Sequence, residues 1–144
     1  MSQRIDPYSN YNFLVEIDGV TSAAFEECSG LTASVDIIDY REGTDKPSAA
    51  RKIPGRARYS NLILKRGLTA DRALWSWFRD ILNGVVDRRN MAVVLLDSQR
   101  QPVARWSLAN AWPAKWEGPL LKAKGSDVAI ETLEIAHEGL DLVQ

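Results

Sequence analysis

The chain has 144 residues, 45% of them hydrophobic, which suits one compact domain with a real core and is too short for two ordinary ones. Its single cysteine, Cys28, excludes an intrachain disulfide, and with His137 as the only histidine no set of metal ligands falls at the usual spacings. The net charge of −1 argues against a basic nucleic-acid binder but hides an uneven distribution: residues 1 to 40 carry one basic and seven acidic groups, 41 to 66 eight and two, 67 to 125 nine and five, and 126 to 144 none and five. Acidic ends and a basic middle are read as self-complementarity between copies. The longest apolar run, Met91 to Leu96, is far below the roughly 18 residues that span a bilayer. The first residues lack a signal-peptide apolar stretch, so synthesis in the cytoplasm is expected.

From Tyr11 the chain reads as a meander. Phe13, Val15 and Ile17 share one strand face, Asp18-Gly19 signals a tight turn, Val20 to Cys28 returns, and Leu31 to Tyr40 forms a third strand with Leu31, Ala33, Val35 and Ile37 on one face. Between Arg41 and Gly55 the hydrophobic pattern disappears into a segment with two prolines and two glycines. We expect an extended loop there, with basic Lys46, Arg51 and Lys52 and an apolar anchor at Ile53, that orders on a partner. A basic strand over Arg56 to Arg66 leads through Gly67 into a helix.

That helix is the clearest element. Leu74, Trp77, Phe78, Ile81 and Leu82 recur at the spacing of one helical face and form its predicted core stripe. Thr69 is the expected N-cap, Asp71 a first-turn acid, and Gly84 the left-handed C-terminal residue. Met91 to Leu96 lacks alternation and suits a strand covered on both faces, under the helix. Val103 to Ala109 returns as a hairpin, and the proline-rich Trp112 to Pro119 is expected on an edge. In the last strand, Asp127 to His137, the apolar residues change phase between Ile130 and Leu133, which a bulge near Glu131-Thr132 or alternate burial would explain equally. The predicted fold is mainly β with one α-helix, an antiparallel β-barrel or sandwich capped by that helix, over residues 1–144 as a single domain.

No phosphate loop, nucleophile elbow or catalytic partner for His137 is visible, and His137 is read as an exposed strand histidine. Cys28, between Glu27 and Ser29, is read as a small buried residue. No enzymatic activity, catalytic residue, cofactor or metal is expected. The five tryptophans are the basis of an alternative, a monomeric ligand- or carbohydrate-binding barrel, although large aromatics more often supply core area.

Three stretches carry a further signal: Asp6-Pro-Tyr with Asn12-Phe-Leu-Val-Glu-Ile-Asp-Gly-Val and Glu27-Cys-Ser-Gly-Leu; Leu62-Ile-Leu-Lys-Arg-Gly-Leu-Thr with Leu74-Trp-Ser-Trp; and Ala129 to Leu140. Together with Tyr40-Arg-Glu-Gly, Arg51-Lys-Ile-Pro-Gly and Trp116-Glu-Gly-Pro they cover most of the chain. They resemble the phage tail tube family, especially inner-tube proteins of contractile phage tails and phage-derived injection systems, and more distantly the type VI secretion tube. The resemblance implies a structural subunit that forms hexameric rings stacked head-to-tail into a hollow tube. It also implies a surrounding sheath protein, baseplate and terminator proteins at the ends, and protein cargo or phage DNA in the lumen. The family's ring-to-ring loop falls on Arg41 through Gly55, which makes Arg41, Glu42, Asp45, Lys46, Arg51, Lys52 and Ile53 the expected stacking residues.

Overall fold

A computed structural model of the protein describes residues 6–10, 12–18, 20–43 and 51–143. Asp45 and Lys46 lie outside the described residues. Among the described residues ten strands and one helix follow in chain order: β1 Phe13–Ile17, β2 Val20–Ala23, β3 Glu27–Ser29, β4 Ala33–Tyr40, β5 Arg51–Tyr59, β6 Leu62–Gly67, α1 Ala73–Leu82, β7 Arg89–Leu96, β8 Pro102–Glu117, β9 Ile130–Ala136 and β10 Gly139–Leu142. No helix among the described residues is long and apolar enough to cross a membrane.

The fold turns on β8, a 16-residue strand that belongs to two sheets. Its first half pairs with β7 on one side and β10 on the other, and β7 continues through β1 to β2. Its second half pairs with β9, which leads through β6 to β3. Every pairing is antiparallel. The strand bends at Asn110, whose positive φ of 51° breaks the extended run, and His137-Glu138 interrupts β9 and β10 directly opposite. The bend folds one sheet over the other, as strands do at sandwich corners. Val15, Met91, Val93 and Leu108 from the first sheet then share a core with Leu62, Leu64, Leu133 and Ile135 from the second.

Several sequence expectations change here. The early meander is broken, because the expected return strand splits into β2 on one sheet and β3 on the other. The expected basic strand from Arg56 to Arg66 is also two elements, β5 and β6, separated at Ser60-Asn61. Trp112 to Glu117 does form an edge of the second sheet, which accommodates Pro113, but it belongs to the same strand as Val103 to Ala109, across the bend at Asn110.

The phase change in the last strand has a different origin from a bulge. The β6–β9 register runs unbroken from Leu62↔Ile135 to Gly67↔Ile130, and β9 alternates cleanly with Glu131, Leu133 and Ile135 inward. A charged residue occupies a core position. Glu131 accepts from Arg66 Nε and, at 3.1 Å, from Trp116 Nε1, while Arg66 Nη2 donates to the Asp71 carbonyl at 3.3 Å. Both Arg66 and Glu131 are 5% exposed, so removing either partner would leave an uncompensated charge in the core.

Helix α1 packs chiefly on β8 rather than on β7, with Trp75 edge-on to Trp116 at 4.9 Å between ring centres. Leu74 and Trp77 are buried, and the Trp77 indole donates to the Asp87 carbonyl at 2.7 Å. Phe78 and Ile81 are half-buried. Leu82, expected in the core stripe, is 62% exposed as the last residue of the helix. The N-terminus also differs: Arg72 occupies the cap position, and Asp71 precedes the helix and accepts from the Ala73 amide. At the other end Gly84 has φ +84°, with Val85 N–H bonded to Asp80 O and Gly84 N–H to Ile81 O. These paired bonds satisfy carbonyls left over by the last turn.

Candidate assembly surface

Among the described residues, strands β4 and β5 stand apart from the sandwich and pair only with each other. The expected loop from Arg41 to Gly55 therefore ends sooner, since β5 already begins at Arg51. The register sets Tyr40 against Arg51, Asp39 against Lys52 and Ile38 against Ile53, with one shift between Val35 and Ile37. Nearest the connection, Arg51 and Glu42 form an ion pair at 3.5 Å, with Arg41 exposed beside them. Further along, Arg58 Nε donates to both oxygens of Asp36, at 2.8 and 3.0 Å. That hydrogen bond favours the charged forms, holding Asp36 below the ordinary carboxylate range and raising Arg58.

The ribbon is anchored where it leaves the second sheet. Gly30, at φ +94°, passes so close to the next strand that an added Cβ would lie 2.1 Å from Asn61 O. Ser60 N–H donates to Thr32 O across the base. His137, expected to be exposed, is half-buried there: Nε2 lies 2.9 Å from Ser60 O, Nδ1 3.2 Å from Gly139 O, and the ring 5.7 Å from Tyr59. No sequence spacing connects His137 with Ser60, because they meet only through the β6–β9 pairing.

What sets the ribbon apart is its apolar surface. Val35 is 52% exposed, Ile37 68% and Ile38 51%, and Tyr40, Ile53 and Tyr59 are also exposed. Successive strand residues point to opposite faces, so Ile37 and Ile38 present apolar groups on both sides. A two-stranded ribbon is marginal in water unless another layer covers it. Of the expected stacking residues, Arg41, Glu42, Arg51, Lys52 and Ile53 all lie on or at the end of this ribbon.

Elsewhere the surface offers little chemistry. Among the described residues no group of three His, Cys, Asp or Glu side chains gathers to hold a metal. Trp106, Trp112 and Trp116 are half-buried and pack against the core, and Trp77 lies within it. Cys28 is half-buried against the core, and burial pushes its thiol up to about 11.

The same fold occurs in several solved structures. A chain of the anti-feeding prophage baseplate, determined with six-fold symmetrisation, is 25% identical, with a TM-score of 0.86 over 97% of each chain. A chain of the sheath-tube complex of the extracellular contractile injection system PVC, in its extended state, is 24% identical, with a TM-score of 0.85 over 95% of this chain and 91% of that one. Hcp1 from Flavobacterium johnsoniae shares the fold at 13% identity and a TM-score of 0.56, over 92% of this chain and 94% of its own. No curated protein sequence matches the chain. The family model for the T4-like virus tail tube protein gp19 matches residues 9–141, and the chain belongs to that tail tube family.

Proposed function

We propose that this tail tube subunit assembles into six-membered rings that stack head-to-tail into a hollow inner tube, with the β4–β5 ribbon making the contact between rings. The observation that carries this reading is the ribbon itself, which is paired only within itself and apolar on both faces. A heterologous contact, in which a projecting element of one copy meets a different surface of the next, propagates without closing and yields a filament. Arg41, Glu42, Asp45, Lys46, Arg51, Lys52 and Ile53 are the proposed stacking residues. Their mixed charges would set register and approach, while the neighbouring apolar side chains supply contact area.

The role is structural. The tube would lie inside a sheath protein, with baseplate and terminator proteins at its ends and protein cargo or phage DNA in the lumen, within a phage tail or a related injection particle. The relatives among sheath-tube and baseplate assemblies support this placement. Negative-stain microscopy of the purified protein tests it: rings or tubes are expected above a threshold concentration. Monomers at every concentration would overturn the reading and favour a binding module instead.

A further inference from the structure

Two exposed apolar features outside the core and the ribbon sit at opposite ends of α1. At the C-terminal end, the chain leaving Gly84 encloses a hollow of about 170 Å³ lined by Ile81, Val85, Val86, Arg88 and Trp112. Its rim is apolar and open, with Leu82, Val85 and Val86 each more than half exposed. At the N-terminal end, the loop of residues 118–129 connects β8 to β9. Leu120 and Leu121 on that loop are 81% and 80% exposed. The loop is tethered beside the approach to the helix by the Leu68 N–H bond to Ala129 O, at 2.8 Å.

We propose that Leu120 and Leu121 of one copy dock into the Ile81–Val86–Trp112 hollow of the next, forming the lateral contact within a ring. The occupant is a second copy because one chain carries both a convex and a concave partner, at the two ends of the same helix. Trp75 lies beside Trp116 near the loop, whereas Ile81 and Trp112 line the hollow, so helix and strand hold the two features apart. At roughly 30 Å³ per water, the hollow holds about five or six water volumes, enough to admit leucine side chains. A knob and a hollow that differ, placed at opposite ends, produce a head-to-tail contact that closes into a ring when the rotation per copy allows. The contact deepens the tube reading and rests on it.

Cross-linking and charge substitution test it on the whole chain. With Cys28→Ser as background, Leu121→Cys and Val86→Cys in the same chain should give a ladder of covalent oligomers with a short bismaleimide, ending at the closed ring. Either cysteine alone should give none. Leu120→Asp with Leu121→Asp, and separately Val85→Asp with Val86→Asp, should melt like the parent yet raise the concentration needed for rings on the order of a hundredfold. A parent that assembles while the paired cysteines give no ladder, or while both aspartate variants form rings normally, overturns this contact and leaves the tube reading intact. A parent that stays monomeric at every concentration overturns both.

Discussion

The sandwich and the β4–β5 ribbon are built from the same antiparallel pairing and comparable alternation, yet one buries its apolar residues and the other displays them. In β6 the alternating Leu62 and Leu64 are fully buried, while in β4 the alternating Val35 and Ile37 are more than half exposed. The difference lies in what the chain brings against each face. β8 bends at Asn110 and brings the first sheet, with Leu74 and Trp77 of the helix, into one core with β6, whereas Gly30 and Ser60 lead β4 and β5 away from that enclosure. A β pattern therefore specifies a buried face without specifying whether the same chain buries it. Substitutions in the sandwich should act on folding, and substitutions in the ribbon on assembly.

The largest effect is expected at the buried ion pair. Glu131→Ala leaves Arg66 charged and without its main partner inside the second sheet, which should cost about 3–5 kcal/mol. Arg66→Met together with Glu131→Leu removes both charges and should recover most of that loss. Denaturant unfolding of Arg66→Met, of Glu131→Leu and of the double variant measures the coupling. Additive losses would mean that the two side chains act separately. Trp77→Ala comes next, at about 3–5 kcal/mol, since it empties a fully buried site and removes the bond to Asp87 O. A Trp77→Ala variant that unfolds at the parental denaturant midpoint would show that this helix face contributes little.

These two sites also show where the fold was legible in the sequence. The helix could be read because its pattern is local: Leu74 and Trp77 lie one turn apart, and Gly84 marks the end. Met91 to Leu96 could be read because an unbroken apolar run requires cover on both faces, and its residues do divide between two clusters, Met91 and Val93 in one and Ala92, Val94 and Leu96 in the other. Glu131 could not be read, because a carboxylate at a core position is acceptable only through Arg66, 65 residues away. The ribbon was obscured in the opposite direction. The run from Leu31 to Ile37 alternates as a core strand does, and Arg51 to Gly55 carries the proline and glycine of a loop although it pairs with β4. Among the proposed stacking residues, composition identified the segment, but its conversion into a ribbon depends on cross-strand pairing that no local pattern encodes.

Ribbon variants should reverse the balance of effects. Ile37→Ser with Ile53→Ser removes apolar groups that are already exposed, so the melting of the isolated subunit should change by no more than about 0.5 kcal/mol per site. Long tubes should nevertheless be lost, as sedimentation would show. A clear drop in subunit stability would instead place the ribbon within the monomer's own core. Charge should have a smaller influence. The Debye length falls from about 10 Å at 0.1 M salt to about 3 Å at 1 M, so stacking through Arg51 and Lys52 should weaken with salt before rings themselves dissociate. Arg51→Glu with Lys52→Glu should shift that transition to lower salt. Tubes indifferent both to salt and to the reversals would leave apolar and backbone contacts as the sole stacking force.

The smallest expected effect concerns a thiol and contrasts the two regions without disturbing either. Cys28 sits half-buried in β3 beside the core, and desolvation of the thiolate raises its pKa from 9.0 to about 11. A raised folded-state value means that the native chain favours the protonated thiol. Stability from this group is fully present below pH 9, where folded and unfolded chains are both protonated. It declines as pH rises toward 11, because the unfolded chain ionises first. At pH 9 about half of an unperturbed thiol is thiolate but only about 1% of Cys28, so alkylation should be about fiftyfold slower than for a free cysteine. Ser34→Cys, in the exposed β4, supplies the comparison when made in a Cys28→Ser background. In the lone subunit it should react at the free-thiol rate, and in assembled tubes more slowly if the ribbon is covered there. Equal rates at Cys28 and at position 34 in the monomer would show that β3 opens as readily as the ribbon, and the contrast between an enclosed sandwich and an uncovered arm would not hold in solution.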